Sequence, residues 1–165
     1  MTDLPVPARV TTAGEREVLE AFLDFHRDIV RAKLAGVLDE AARSRLVPSS
    51  TTLSGIVKHL TAVEGIWFRH VLLGEGPPPP PTQEAHWEIG PGETPEVLIA
   101  AYDAACELSR RSAADLPLDH TGRHALLGEV SLRWIYGHMI GETARHAGHA
   151  DILREQTDGR TGILG

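Results

Sequence analysis

Cysteine is nearly absent: Cys106 stands alone in 165 residues, so no internal disulfide can form and a reducing compartment is expected. Basic clusters are missing too. The only lysines are Lys33 and Lys58, no run of Lys or Arg occurs, and the formal net charge is −7. That balance argues against a phosphate-backbone binder, so no nucleic-acid partner is expected. The opening MTDLPVPARV lacks the charged and apolar regions of a secretory leader, and no apolar stretch approaches the ~20 residues that span a bilayer. A cytoplasmic chain without membrane contact is therefore expected. Neither an internal repeat nor β-type alternation is evident. Against these absences, 42% hydrophobic and 24% charged residues are ordinary globular composition. A single domain over residues 1–165 is long enough to bury a core without disulfide staples.

Helical periodicity is what the sequence does contain. Val18, Leu19, Phe22, Phe25, His26, Ile29, Val30, Leu34, Val37 and Leu38 recur three and four residues apart. This is the apolar stripe of an amphipathic helix, with Glu17, Glu20, Asp24, Arg27, Asp28 and Arg31 largely opposite. Residues 47–52 supply a break with several candidate N-caps. A second helix follows, with Leu53, Ile56, Val57, Leu60, Val63, Ile66 and Trp67 inward and an end near Gly74. Five consecutive prolines, residues 77–81, cannot be helical and predict a stiff, extended connection over residues 77–93. Thr94-Pro95-Glu96 reads as an N-cap followed by proline at the first helical position, opening a third helix that stops before Pro117. A polar loop over residues 117–128 carries His120 and His124. The last helix is predicted from about Glu129 to about Gln156, ended by Asp158-Gly159. Four long helices and no strands predict an all-α fold, a four-helix bundle with one long proline-containing crossover.

The last helix is polar where it should be apolar. At about 100° per residue, taking His138 as zero, His149 falls at about 20°, Glu142 at about 40° and His146 at about 80°. Ile135 and Leu153 share that sector, so ligand-type residues are set into the edge of the inner face. Burying an unpaired carboxylate beside imidazoles is costly, and a bound cation would resolve the cost. An i, i+4 pair such as Glu142 and His146 sends two donors toward one point. His59, among Ile56, Leu60 and Val63 on the inner side of the second helix, is the candidate third donor. Spacing also allows a second reading, in which Glu142 joins Arg145 or His146 in a solvated charge network and His59 is a satisfied core histidine.

The run from Thr51-Thr52-Leu53 through Gly55, His59, Glu64 and Trp67 pairs with Leu132-Arg133-Trp134 and with the stretch Glu142-Thr-Ala-Arg-His146-Ala-Gly-His149-Ala-Asp151-Ile-Leu-Arg154. Together these motifs resemble the DinB-like superfamily, most closely the actinobacterial branch that includes the mini-circle proteins. The resemblance implies a four-helix bundle, often a homodimer, with a divalent metal on one residue of the second helix and two of the last. The matching positions are His59, Glu142 and His146. Many members carry a further histidine where Glu142 stands, and the Glu-x-x-x-His form is similar to the mycothiol-dependent maleylpyruvate isomerase branch. Zinc is the first expectation, and the carboxylate also suits nickel, manganese or iron. Characterised relatives are thiol S-transferases or thiol-dependent isomerases that act on small electrophiles with mycothiol or bacillithiol. In that reading the metal binds the cosubstrate sulfur and favours its thiolate at neutral pH. A metal-dependent hydrolase using bound water is a second option, and a non-catalytic helical dimer or stress-response module with a structural metal is a third.

Around the three donors, His149 and His138 could orient Glu142 or carry a proton, or be partly exposed helix residues. Arg145 at the rim could meet an anionic substrate or pair with Glu142. His26 is expected in the core or at a cavity wall, while His70, His86, His120 and His124 carry little signal. Trp67, Trp134 and Tyr136 read as core or pocket-wall aromatics, and Cys106 as packing.

Overall fold

The computed structural model describes residues 6–79 and 86–162. Among these, four long helices carry the fold: α1 (Glu15–Leu34), α3 (Leu53–Gly65), α4 (Pro95–Ala113) and α5 (Leu132–Asp158), with a one-turn helix α2 (Asp39–Ala42) after α1. The helix ends follow local chemistry. α1 opens on Glu15 and Glu17 and closes on Arg31 and Lys33, complementing its dipole. Thr52 Oγ1 accepts the Gly55 N–H at 3.0 Å to cap α3, and Thr94 Oγ1 accepts from Val97 ahead of Pro95 at the start of α4. α3 widens into a π-helical stretch, Ile66–Val71, and its helical course ends at Gly74, whose φ of 69° is free to glycine.

α1 packs chiefly on α5 and α3 on α4. Ile29, Val30, Leu34, Ile56, Leu60, Tyr102 and Leu153 fill one end of the core, while Leu23, Val63, Phe68, Leu132, Ile135 and Met139 fill the other. The all-α bundle expected from the periodicity is what the chain adopts, with one small exception.

That exception is a hairpin. β1 (Thr121–His124) pairs antiparallel with β2 (Gly128–Ser131), in the register Thr121 to Ser131. The last helix therefore starts at Leu132, later than the predicted Glu129, because residues 128–131 are committed to the strand. Ser131 Oγ then accepts the Trp134 N–H at 3.2 Å as the N-cap. The hairpin lies against the π-helical stretch so closely that a Cβ on Gly122 would collide with the Val71 carbonyl.

Three further departures lie in α1 and just after it. α1 stops at Leu34, Gly36 adopts φ 70°, and Leu38 is 80% exposed instead of extending the stripe. Phe22, placed on the inner stripe, is an exposed side chain. Arg27, placed on the outer face, is buried against Glu64 of α3, with bonds of 2.8 and 2.6 Å. Pro77, Pro78 and Pro79 are non-helical as expected, and the rest of the proline run lies outside the described residues. No helix among the described residues is long and apolar enough to cross a membrane.

Candidate metal centre

His59 faces inward from the middle of α3, and one turn of α5 carries Glu142 and His146. Both imidazoles reach the same carboxylate oxygen: His59 Nε2 and His146 Nε2 each donate to Glu142 Oε1 at 3.2 Å. The three donor atoms lie within 4.8 Å of one another. His146 is buried, and Glu142, with 20% of its side chain exposed, is the most accessible of the three. Hydrogen bonds from His146 and then His59 hold the Glu142 carboxyl far below the usual range, outweighing the opposite effect of burial.

Two imidazole nitrogens and a carboxylate oxygen are a donor set for zinc and its neighbours. Donors about 2.1 Å from a tetrahedral cation stand roughly 3.4 Å apart, close to the 3.2 Å separations observed. The residues fit the group, and a cation would displace the two Nε2 protons. The three positions singled out from the sequence are thus brought together.

A wall that the sequence reading passed over closes one side. Trp87 stacks on His59 with centroids 4.5 Å apart and planes 12° from parallel, and lies 5.5 Å from His146. His86 sits 5.8 Å from His59, with its pKa lowered by burial and by the His59 charge. Both belong to the connection after the prolines. Lys58 pins that segment, donating to the Glu88 carbonyl at 2.6 Å and to Glu93 at 2.7 Å. Gly55 makes room beneath: a Cβ there would stand 3.2 Å from the Trp87 ring. A His-Trp pair in an otherwise polar connection was the available signal.

The remaining candidates separate. His149 is exposed and meets His146 edge-on at 5.5 Å, beside the donors but bonded to none of them. His138 turns away into an aromatic stack, parallel to Trp134 at 5.2 Å and 4.3 Å from Trp67. Burial lowers its pKa. Arg145 is exposed and forms no ion pair with Glu142. His124, at the hairpin, stacks on Trp67 at 5.1 Å. His26 is half-buried in α1, its pKa lowered by burial. Cys106 is buried, and desolvation with the nearby Glu64 charge pushes its thiol up to about 12, which leaves it packing and no nucleophile.

Two cavities lie nearby, each lined by one residue that touches a donor, Trp87 on His59 and His149 on His146. One of about 580 Å³ is lined by Arg43, Arg45, Ser50, Thr52, Trp87, Glu88 and Ile89. The other, about 300 Å³, is lined by Val47, Ser49, Thr51, His149, Ile152 and Leu153. A three-donor centre whose carboxylate keeps 20% of its side chain exposed can hold a cation and still be reached by small molecules.

No curated protein matches the chain. The family model of the mycothiol-S-transferases matches residues 18–159, spanning the helices that carry all three donors. On that match the chain belongs to the mycothiol-S-transferase family, within the DinB-like superfamily.

Proposed function

We propose that this protein is a metal-dependent S-transferase that joins the sulfur of mycothiol to a small electrophile. The observation that carries the reading is the convergence of His59, Glu142 and His146, whose donor atoms lie within 4.8 Å of one another, in a chain of the mycothiol-S-transferase family. A bound divalent cation, zinc by first preference, would supply positive charge that favours thiolate over thiol. His59 and His146 would hold it through Nε2 and Glu142 through its carboxylate. Trp87 shields the His59 face from water, which strengthens the electrostatics inside. The His149 imidazole, exposed beside His146, takes the thiol proton and passes it to solvent. With an alkyl chloride, the sulfur–carbon bond forms as the carbon–chlorine bond breaks, and the products are thioether, chloride and a proton. The buried Cys106 takes no part. A homodimer in the cytoplasm completes the proposal.

The test is conjugation of mycothiol to monochlorobimane by protein of known metal content. We expect turnover that disappears on chelation, returns with zinc, and is lost in His59→Ala and His146→Ala. Equal metal content in wild type and both variants would refute the centre. Turnover of an ester substrate with no thiol present would favour a hydrolase. Light scattering at micromolar concentration reads the oligomeric state.

A further inference from the structure

The hairpin closes on a side chain. Its loop, residues 125–127, ends on Gly128, whose φ of 76° lets the chain turn back. His124, the last residue of β1, turns its ring into that loop: Nδ1 accepts the Leu126 N–H and the Leu127 N–H, each at 3.2 Å. An asparagine oxygen caps turns in the same way. Nδ1 accepts only while it carries no proton, which makes the ring the neutral tautomer with its proton on Nε2. A face of the same ring lies on Trp67, 5.1 Å away and 8° from parallel. One imidazole therefore ties the loop to the π-helical stretch of α3. Leu126 is 90% exposed and Leu127 55%, so no apolar burial holds the loop closed once those bonds are gone.

We propose that His124 is an acid-sensitive latch of this loop: protonation of Nδ1 turns the acceptor of two N–H groups into a donor facing them, and residues 125–127 come free. The latch is independent of the S-transferase reading and of the three metal donors. Imidazole is the side chain whose charge ordinarily changes between about pH 5 and 8. The bonds are present at neutral pH and lost on acidification. The stack does not oppose this, since a cation on an indole face is attracted to it. The ring stays on Trp67 and the loop yields. Strand alternation puts Gly122 and Val130 on the His124 face of the hairpin, and Arg123 with Glu129 on the other. His70 of the π-helical stretch shares a groove with Arg123 and Glu129. From α5, His138 feels the His124 charge, and Glu142 and Arg145 act on His138 in turn.

The experiment uses the zinc-loaded full-length protein and reads amide hydrogen exchange at Leu126 and Leu127 from about pH 5 to 8, each rate referred to that of an unstructured chain at the same pH. In the wild type, protection of roughly fivefold, the equivalent of one net hydrogen bond, is expected at the neutral end and should vanish at the acid end. His124→Asn supplies an acceptor that does not titrate and should keep the protection throughout. His124→Phe keeps a ring on Trp67 without an acceptor and should show no protection at any pH. The His124 ring protons should hold their ring-current shift from Trp67 across the range. Protection that persists in acid in the wild type would overturn the latch. So would equal loss in His124→Asn, which shares His138 and the metal centre and would assign the response to one of them. A ring-current shift that vanishes with the protection would also overturn it, because the stack would then have yielded in place of the loop.

Discussion

Replacing Glu64 with alanine removes a carboxylate with 0% exposure and leaves the Arg27 guanidinium, itself 5% exposed, without its main partner. The pair is bidentate at 2.8 and 2.6 Å. Burial alone would lower the Arg27 pKa, but the charge and hydrogen bonds of Glu64 outweigh it and hold the group charged. Breaking a buried pair from one side costs about 3–5 kcal/mol, because the surviving charge is stranded. Asp24 still accepts from Arg27 Nη1 at 2.8 Å, so the low end, about 3 kcal/mol, is expected. At about 2–4 °C per kcal/mol for a chain of this size, Tm should fall by roughly 6–12 °C. Urea titration followed by circular dichroism measures the loss in kcal/mol, and a thermal melt the shift in Tm. Replacing both partners, as in Arg27→Met with Glu64→Leu, should recover most of the loss, since apolar groups strand nothing. Asp24 keeps Arg110 at 2.9 Å in that double variant. A loss under about 1 kcal/mol in Glu64→Ala, or a double variant as unstable as the single, would refute the account of how α1 is locked to α3.

Other expectations are more compact. Zinc at a hundred times its Kd should stabilise the protein by about 2.7 kcal/mol and raise Tm by roughly 5–11 °C, an increment lost in His146→Ala by scanning fluorimetry. Because imidazoles bind zinc only when deprotonated, zinc affinity should fall on acidification, readable by competition with a chromogenic chelator. His26 has its pKa lowered by burial, so its neutral form is favoured in the fold. Its contribution is therefore complete above the ordinary imidazole value of 6.5 and declines as pH falls below it; His26→Leu should flatten that limb of a Tm-against-pH curve. Gly122→Ala should cost about 1–3 kcal/mol by overpacking against Val71 and shift the Trp67 and Trp134 fluorescence as the hairpin lifts. An unchanged emission spectrum would show that the hairpin is not seated as drawn.

Much of the bundle was legible because its signals are local. Period and caps act within one or two turns, which is why Thr94-Pro95, Gly74 and Gly159 mark ends in the sequence and in the fold. Glu142 and His146 were legible as a pair for the same reason: four residues on one helix are always neighbours. The hairpin was not. Two strands of four residues are too short to show alternation, and they form because they dock on the π-helical stretch of α3. Arg27 was misplaced because a charged residue is sent outward by pattern alone, and its partner stands 37 positions away.

The sequence by itself determined which residues could donate to a cation and which helical face each occupies, since both follow from side-chain chemistry and a 3.6-residue turn. Tertiary structure decided which of those candidates meet. It brought His59 to the Glu142–His146 pair across 83 positions, sent His138 to Trp134 and Trp67, and folded Trp87 over the His59 ring. Long-range meetings depend on helix packing and on the path of a connection, and neither is encoded in the spacing of residues along one helix.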